Sequence, residues 1–132
     1  MESQEHILLC KKLKEDFLKY INISENGSWS SGTVAFHCLP NTTKINGFIP
    51  DLKYVDKKNL IAIGDAKNRN DIKNKHTAVQ IRAYLKTAHA FKKRLMFFRV
   101  PSIAFTKTVN FIFNSIDKLD KQVEFYVNGK KI

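Results

Sequence analysis

The sequence is poor in cysteine, proline, glycine and tryptophan. Its 132 residues include two cysteines, three prolines, five glycines and one tryptophan. A chain of this length can bury a hydrophobic core without disulfide bonds. Cys10 and Cys38 do not have the CxxC spacing of zinc or redox sites, so we expect them to be small buried hydrophobes in a reducing compartment.

Long hydrophobic runs are also missing. No apolar stretch approaches the roughly 18 residues that span a bilayer. Glu2 and Glu5 precede any apolar segment, so the N-terminus does not show the basic-then-apolar pattern of a secretion signal. The composition, 43% hydrophobic and 27% charged, is ordinary for a globular protein. We therefore expect a single domain over residues 1–132, located in the cytoplasm and not in a membrane.

Acidic residues are scarce relative to basic ones. Twenty-three Lys and Arg against twelve Asp and Glu give a net charge of +11. Such a field attracts polyanions, of which nucleic acids are the commonest; solubility and contact with acidic membranes are the alternatives. Residues 67–94 hold nine basic residues and one acidic residue. This concentration favours a nucleic-acid partner.

Hydrophobic periodicity predicts an α+β domain. Apolar residues at three- and four-residue intervals predict helices at residues 4–22 and 75–91, and a weaker pattern predicts a third at 102–119. Strands are predicted at residues 33–39, 48–55, 60–67, 95–100 and 123–127. The order α-β-β-β-α-β, followed by a C-terminal αβ extension, describes a mixed central sheet flanked by helices.

Two short segments, Pro50-Asp51 and Asp65-Ala66-Lys67, carry the residues with the clearest chemical potential. Side chains alternate along a strand, so Asp65 and Lys67 share one face with two core isoleucines. If the strands at 48–55 and 60–67 form a hairpin, Asp51 and Asp65 lie near its open end. Two converging carboxylates offer the oxygen ligands that Mg²⁺ prefers, and the amine of Lys67 supplies a cation beside a water or a phosphate.

These segments resemble the motif of the PD-(D/E)XK nuclease superfamily. The two aspartates are 14 positions apart and are followed by Ala66 and Lys67. The predicted element order is similar to the restriction-endonuclease-like αβββαβ core of that family, over about residues 4–100. The resemblance implies a Mg²⁺-dependent endonuclease that hydrolyses DNA phosphodiester bonds, with Mn²⁺ able to substitute.

The resemblance also implies individual roles. Metal ligands would be Asp51, Asp65, the carbonyl oxygen of Ala66 and an acid from the first helix. Glu5 is favoured for that acid over Asp16, and over Glu15, which points away from the apolar stripe. Several branches of the family place a glutamine or a QxxxY pair on the following helix, which Gln80 and Tyr84 match. The catalytic set is then Asp51, Asp65, Lys67 and Gln80.

Polar and basic residues that follow the motif are candidates for contacting the phosphates of a nucleic-acid backbone. They are Asn68, Arg69, Lys73, Lys75, His76 and Tyr84. Lys92, Lys93 and Arg94 are expected to extend the same track. The alternative for each basic residue is an ordinary solvated position.

Three nuclease roles stay open at the sequence level: a junction resolvase, a restriction or homing endonuclease, and a component of a larger assembly. Double-strand cutting by so small a domain favours a homodimer, formed through the C-terminal extension. The competing class is a nucleic-acid-binding module that has the fold without catalytic activity.

Overall fold

The computed structural model describes residues 4–21, 50–56, 59–68, 75–115 and 122–132. In these residues the chain forms three α-helices, a short 3₁₀ turn and one five-stranded sheet. The elements in chain order are α1 (Gln4–Ile21), β1 (Leu52–Asp56), β2 (Leu60–Ala66), α2 (Lys75–Ala88), β3 (Lys93–Arg99), the 3₁₀ turn (Ser102–Ala104), α3 (Phe105–Ser115), β4 (Val123–Val127) and β5 (Lys130–Lys131). The strand predicted at residues 33–39 lies outside the described residues.

The sheet is mixed, as the element order predicts. Its strands follow the order β1-β2-β3-β4-β5, with β2, β3 and β4 parallel to one another and the outer strands antiparallel to their neighbours. The β2 strand is buried at every position except its first. The strand is therefore covered on both faces of the sheet.

One face of the sheet is covered by α1. The apolar stripe of this helix places Leu13 and Phe17 against a cluster that includes Tyr54 and Phe97. The Phe17 ring lies 5.1 Å from the Tyr54 ring and 5.5 Å from the Phe97 ring in tilted and edge-to-face contacts. Gly64 lets the helix approach closely, because a Cβ there would lie 3.2 Å from Leu13 and 3.0 Å from the Phe97 carbonyl oxygen.

The other face is covered by α2 and α3. Ile81 and Tyr84 of α2 and Ile112 of α3 share a buried cluster with Ile61 and Ile63 of β2. The period-2 alternation of β2 thus sends its isoleucines to the α2–α3 side and its small residues to α1. The described part of the chain is an α+β domain with a mixed sheet between helical layers.

The second helix ends three residues earlier than the apolar pattern predicts. Arg94 donates hydrogen bonds to the carbonyl oxygens of His89 and Phe91, at 3.1 and 2.9 Å. His89 and Phe91 lie after the helix end, so these bonds fix the turn between α2 and β3. Among the described helices, none is long and apolar enough to cross a membrane.

Candidate active site

The candidate site lies where the β1–β2 hairpin opens. Leu52 pairs with Gly64 in this antiparallel ladder, so the next residues outward, Asp51 and Asp65, face each other. The sequence-based expectation that the two aspartates meet at the open end of a hairpin is confirmed in the geometry. Asp51 is 5% exposed and Asp65 is 2% exposed, so both acids are buried.

The two carboxylates are fixed by main-chain donors. The N–H of Asp51 donates to Oδ1 of Asp65 at 3.1 Å, and the N–H of Ala66 donates to Oδ2 of Asp51 at 2.8 Å. Each carboxylate therefore accepts a hydrogen bond from the main chain of the segment that carries the other acid. This exchange holds the side chains in place before any ligand arrives.

The surroundings of the Asp65 carboxyl group disfavour its ionised form. Burial, and then the nearby negative charge of Asp51, raise its pKa to about 7, although Lys67 and two hydrogen bonds act in the opposite direction. Its Oδ2 atom is buried and has no hydrogen-bond partner among the described residues. A buried carboxylate oxygen without a donor is costly, and a bound cation would supply the missing partner.

The amine of Lys67 is held on the same side of the sheet. Its Nζ atom donates to Oε1 of Gln80 at 2.6 Å, which links the end of β2 to α2. One helical turn later, the hydroxyl of Tyr84 lies 3.4 Å from Oδ1 of Asp65. Burial and then the Asp65 charge raise the pKa of Tyr84, so the phenol remains a neutral donor.

The first helix contributes residues that sequence reasoning did not select. Nε2 of His6 lies 3.2 Å from Oδ1 of Asp51. Ligand atoms of His6, Cys10 and Asp51 all lie within 4.8 Å of one another. His6 and Cys10 are four residues apart and lie on one stripe of the helix with Leu13 and Phe17. This spacing could have identified them from the sequence.

Two acids of the first helix, Glu5 and Asp16, are candidate metal ligands. Glu5, the favoured ligand, is exposed in the first turn, and its role stays a prediction. Asp16, the alternative, accepts hydrogen bonds from Arg99 at 3.1 and 3.2 Å. That ion pair explains the position of Asp16 without a metal.

The proposed nucleic-acid contacts are only partly described. Asn68 is partly exposed directly after Lys67, and His76 is exposed in the first turn of α2. Tyr84 is fully buried beside Asp65, so it is placed to support the acid and not to contact a backbone. Arg69, Lys73 and the side chain of Lys75 lie outside the described residues.

The expected extension of the basic track is not at this end of the sheet. In the parallel β2–β3 ladder, Lys93 pairs with Leu60, whereas Ala66 pairs with Arg99. Lys93 and Arg94 therefore lie about 16 and 13 Å along the strands from the level of Asp65, at roughly 3.3 Å per residue. This placement differs from the expectation, because parallel pairing puts the start of β3 beside the start of β2.

Comparison with known proteins identifies no relative of the chain. No protein family, no curated protein and no solved structure matches the chain. The chemistry of the site must therefore be argued from its own residues. Two buried acids, one unpartnered oxygen and a positioned amine can together hold a divalent cation and a phosphate.

Proposed function

We propose that this chain is a divalent-cation-dependent DNA endonuclease of the PD-(D/E)XK type, which hydrolyses phosphodiester bonds. The observation that carries the proposal is the contact between Asp51 and Asp65, with the unpartnered Oδ2 of Asp65 buried beside it. The amine of Lys67 is close enough to lower the pKa of Asp65. Two acids and an amine in this order match the motif of that superfamily.

The residues present fit a hard divalent cation. Asp51 and Asp65 offer carboxylate oxygens, and the Ala66 carbonyl oxygen is a third candidate ligand, which together suit Mg²⁺ or Mn²⁺. A cation would also relieve the repulsion that raises the pKa of Asp65. When bound, such an ion lowers the pKa of a coordinated water and neutralises charge on phosphoryl oxygens.

The remaining roles belong to side chains that the fold already holds in place. Gln80 accepts the 2.6 Å hydrogen bond from Lys67 and so fixes the amine at the end of β2. Lys67 would then hold the nucleophilic water or take up its proton. Tyr84, buried in the core, would hold the Asp65 carboxylate in position and exclude water from the core side of that carboxylate.

The substrate is proposed to be DNA because the chain is strongly basic. A net charge of +11 favours contacts with phosphates, which makes affinity fall steeply with salt. We favour branched DNA by analogy with other small, strongly basic nuclease domains. Exposed apolar side chains on the C-terminal turn and helix, at Ile103 and Phe113, support a homodimer for double-strand cutting.

A second candidate is a nucleic-acid-binding domain without catalysis. It is favoured by the main-chain hydrogen bonds to Asp51 and Asp65, because acids that lock a hairpin end have a structural role without a metal. Binding to a polyanion alone does not require two adjacent acids, which argues for the nuclease.

Cleavage of linear duplex, single-stranded and four-way-junction DNA tests the choice. The full chain is incubated with Mg²⁺, with Mn²⁺ or with EDTA, beside Asp65→Asn and the exposed-site control Glu15→Gln. The nuclease proposal expects metal-dependent products from the wild type and Glu15→Gln, and none from Asp65→Asn. Binding without products in every metal condition would leave the non-catalytic domain as the function.

A further inference from the structure

A cluster of three different metal-binding side chains lies next to the two aspartates. His6 and Cys10 are one turn apart on α1, and Asp51 lies immediately before β1. One ligand atom of each lies within 4.8 Å of the others. The cluster thus joins two elements that are distant in sequence.

The cluster is sheltered from solvent. Cys10 is 2% exposed, and the side chains of His6 and Asp51 are 25% and 7% exposed. Cys10 is not part of a disulfide. An imidazole, a thiol and a carboxylate therefore converge where water competes weakly for an ion.

The size of the cluster suits one ion. Ligand atoms about 2.0–2.3 Å from a single tetrahedral Zn²⁺ lie roughly 3.3–3.8 Å apart. Nε2 of His6 and Oδ1 of Asp51, at 3.2 Å, already have about this separation. All three ligand atoms lie within 4.8 Å of one another, so side-chain rotations of about 1 Å bring them into coordination distance. The adjacent Asp65 carboxyl group adds negative charge on the Asp51 side.

The ligand types decide which ion this is. Carboxylates and carbonyls suit Mg²⁺ and Mn²⁺, whereas imidazole and thiolate suit Zn²⁺ and Co²⁺. We propose that His6, Cys10 and Asp51 form a second cation site, specific for a borderline transition-metal ion and sharing Asp51 with the Asp51–Asp65 site. On binding, the Cys10 thiol loses its proton to solvent and forms a metal–sulfur bond without any redox change.

Sharing Asp51 has a consequence for metal choice. Three protein ligands leave a fourth position that a water or a phosphate oxygen can fill. An ion held by His6 and Cys10 also engages Asp51, so Zn²⁺ competes with Mg²⁺ for that carboxylate. The inference does not depend on hydrolysis, because ion binding is measured without DNA.

Titration of the full chain with Co²⁺, in the absence of Mg²⁺, tests the site by absorption spectroscopy. The wild type is expected to show a thiolate-to-cobalt charge-transfer band that saturates at one equivalent. Cys10→Ser should abolish the band and His6→Ala should weaken cobalt binding at least about tenfold. Cys38→Ser and Glu15→Gln should retain the band, and circular dichroism checks that each variant is folded.

Three results would overturn the inference: no charge-transfer band in the wild type, a band that persists in Cys10→Ser, or a band that disappears in Cys38→Ser. A chain that shows the expected band but never cleaves DNA would keep the transition-metal site and refute the nuclease. The two proposals are therefore tested separately.

Discussion

The main-chain N–H of Asp51 donates a 3.1 Å hydrogen bond to the side chain of Asp65, and the side chain of Asp51 accepts one from Ala66 in return. Two buried acids are thereby held side by side across a hairpin end. Burial, and then the repulsion between like charges so placed, raise the pKa of Asp65 to about 7. The fold maintains this unfavourable pair, which the proposed cation would stabilise.

Cation binding is expected to stabilise the native state. Mg²⁺ or Mn²⁺ at a hundred times its dissociation constant should add about 2.7 kcal/mol to the free energy of unfolding. Asp51→Asn and Asp65→Asn should each lose most of this gain, whereas Glu15→Gln should keep it. Thermal melts with and without metal measure the shift, and equal shifts in all four proteins would refute the site.

Stability without metal should depend on pH through Asp65. Its pKa is about 7 in the native state and near the ordinary 3.8 in the unfolded chain, so the native state binds the proton more tightly. The stabilisation is complete below about pH 4 and is lost as the pH rises towards and through 7, on the order of 4 kcal/mol.

Urea denaturation in EDTA between pH 4 and 8 measures this dependence. Asp65→Asn carries no titrating group there, so its free energy of unfolding should vary less over this range than that of the wild type. Glu15→Gln should retain the wild-type slope. An Asp65→Asn curve parallel to that of the wild type would contradict the assignment.

Close packing of α1 on the sheet gives a prediction about the fold. Gly64→Ala should cost about 1–3 kcal/mol, because the new Cβ meets the Phe97 carbonyl oxygen at 3.0 Å and Leu13 at 3.2 Å. Val79→Ala, at a 49% exposed position, should change stability by less than about 0.5 kcal/mol. Urea unfolding compares them, and a neutral Gly64→Ala would mean that the helix lies farther from β2.

Local patterns predict much of this fold. The alternation in β2 places Asp65 with the core isoleucines, and a hairpin of the predicted strands at 48–55 and 60–67 brings Asp51 to it. The sequence does not show how α1 crosses the sheet, so the approach of His6 to Asp51 was missed. The distant position of Lys93 likewise depends on the parallel pairing of β2 and β3.

Contacts between distant residues explain the other differences. Arg94 ends α2 early by binding carbonyl oxygens of the turn, which apolar periodicity cannot reveal. Asp16 was a candidate ligand on helical position alone, yet it pairs with Arg99, 83 residues away. Such partners become visible only when the whole sheet is assembled.

The most direct measurement is the single-turnover rate of Mg²⁺-dependent DNA cleavage by Lys67→Met, at DNA concentrations that saturate binding. Loss of the amine should lower the rate at least about a hundredfold while DNA affinity stays near that of the wild type. Lys12→Met, which removes one exposed charge from α1, should cleave normally. Cleavage by Lys67→Met at the wild-type rate would contradict the proposed active site.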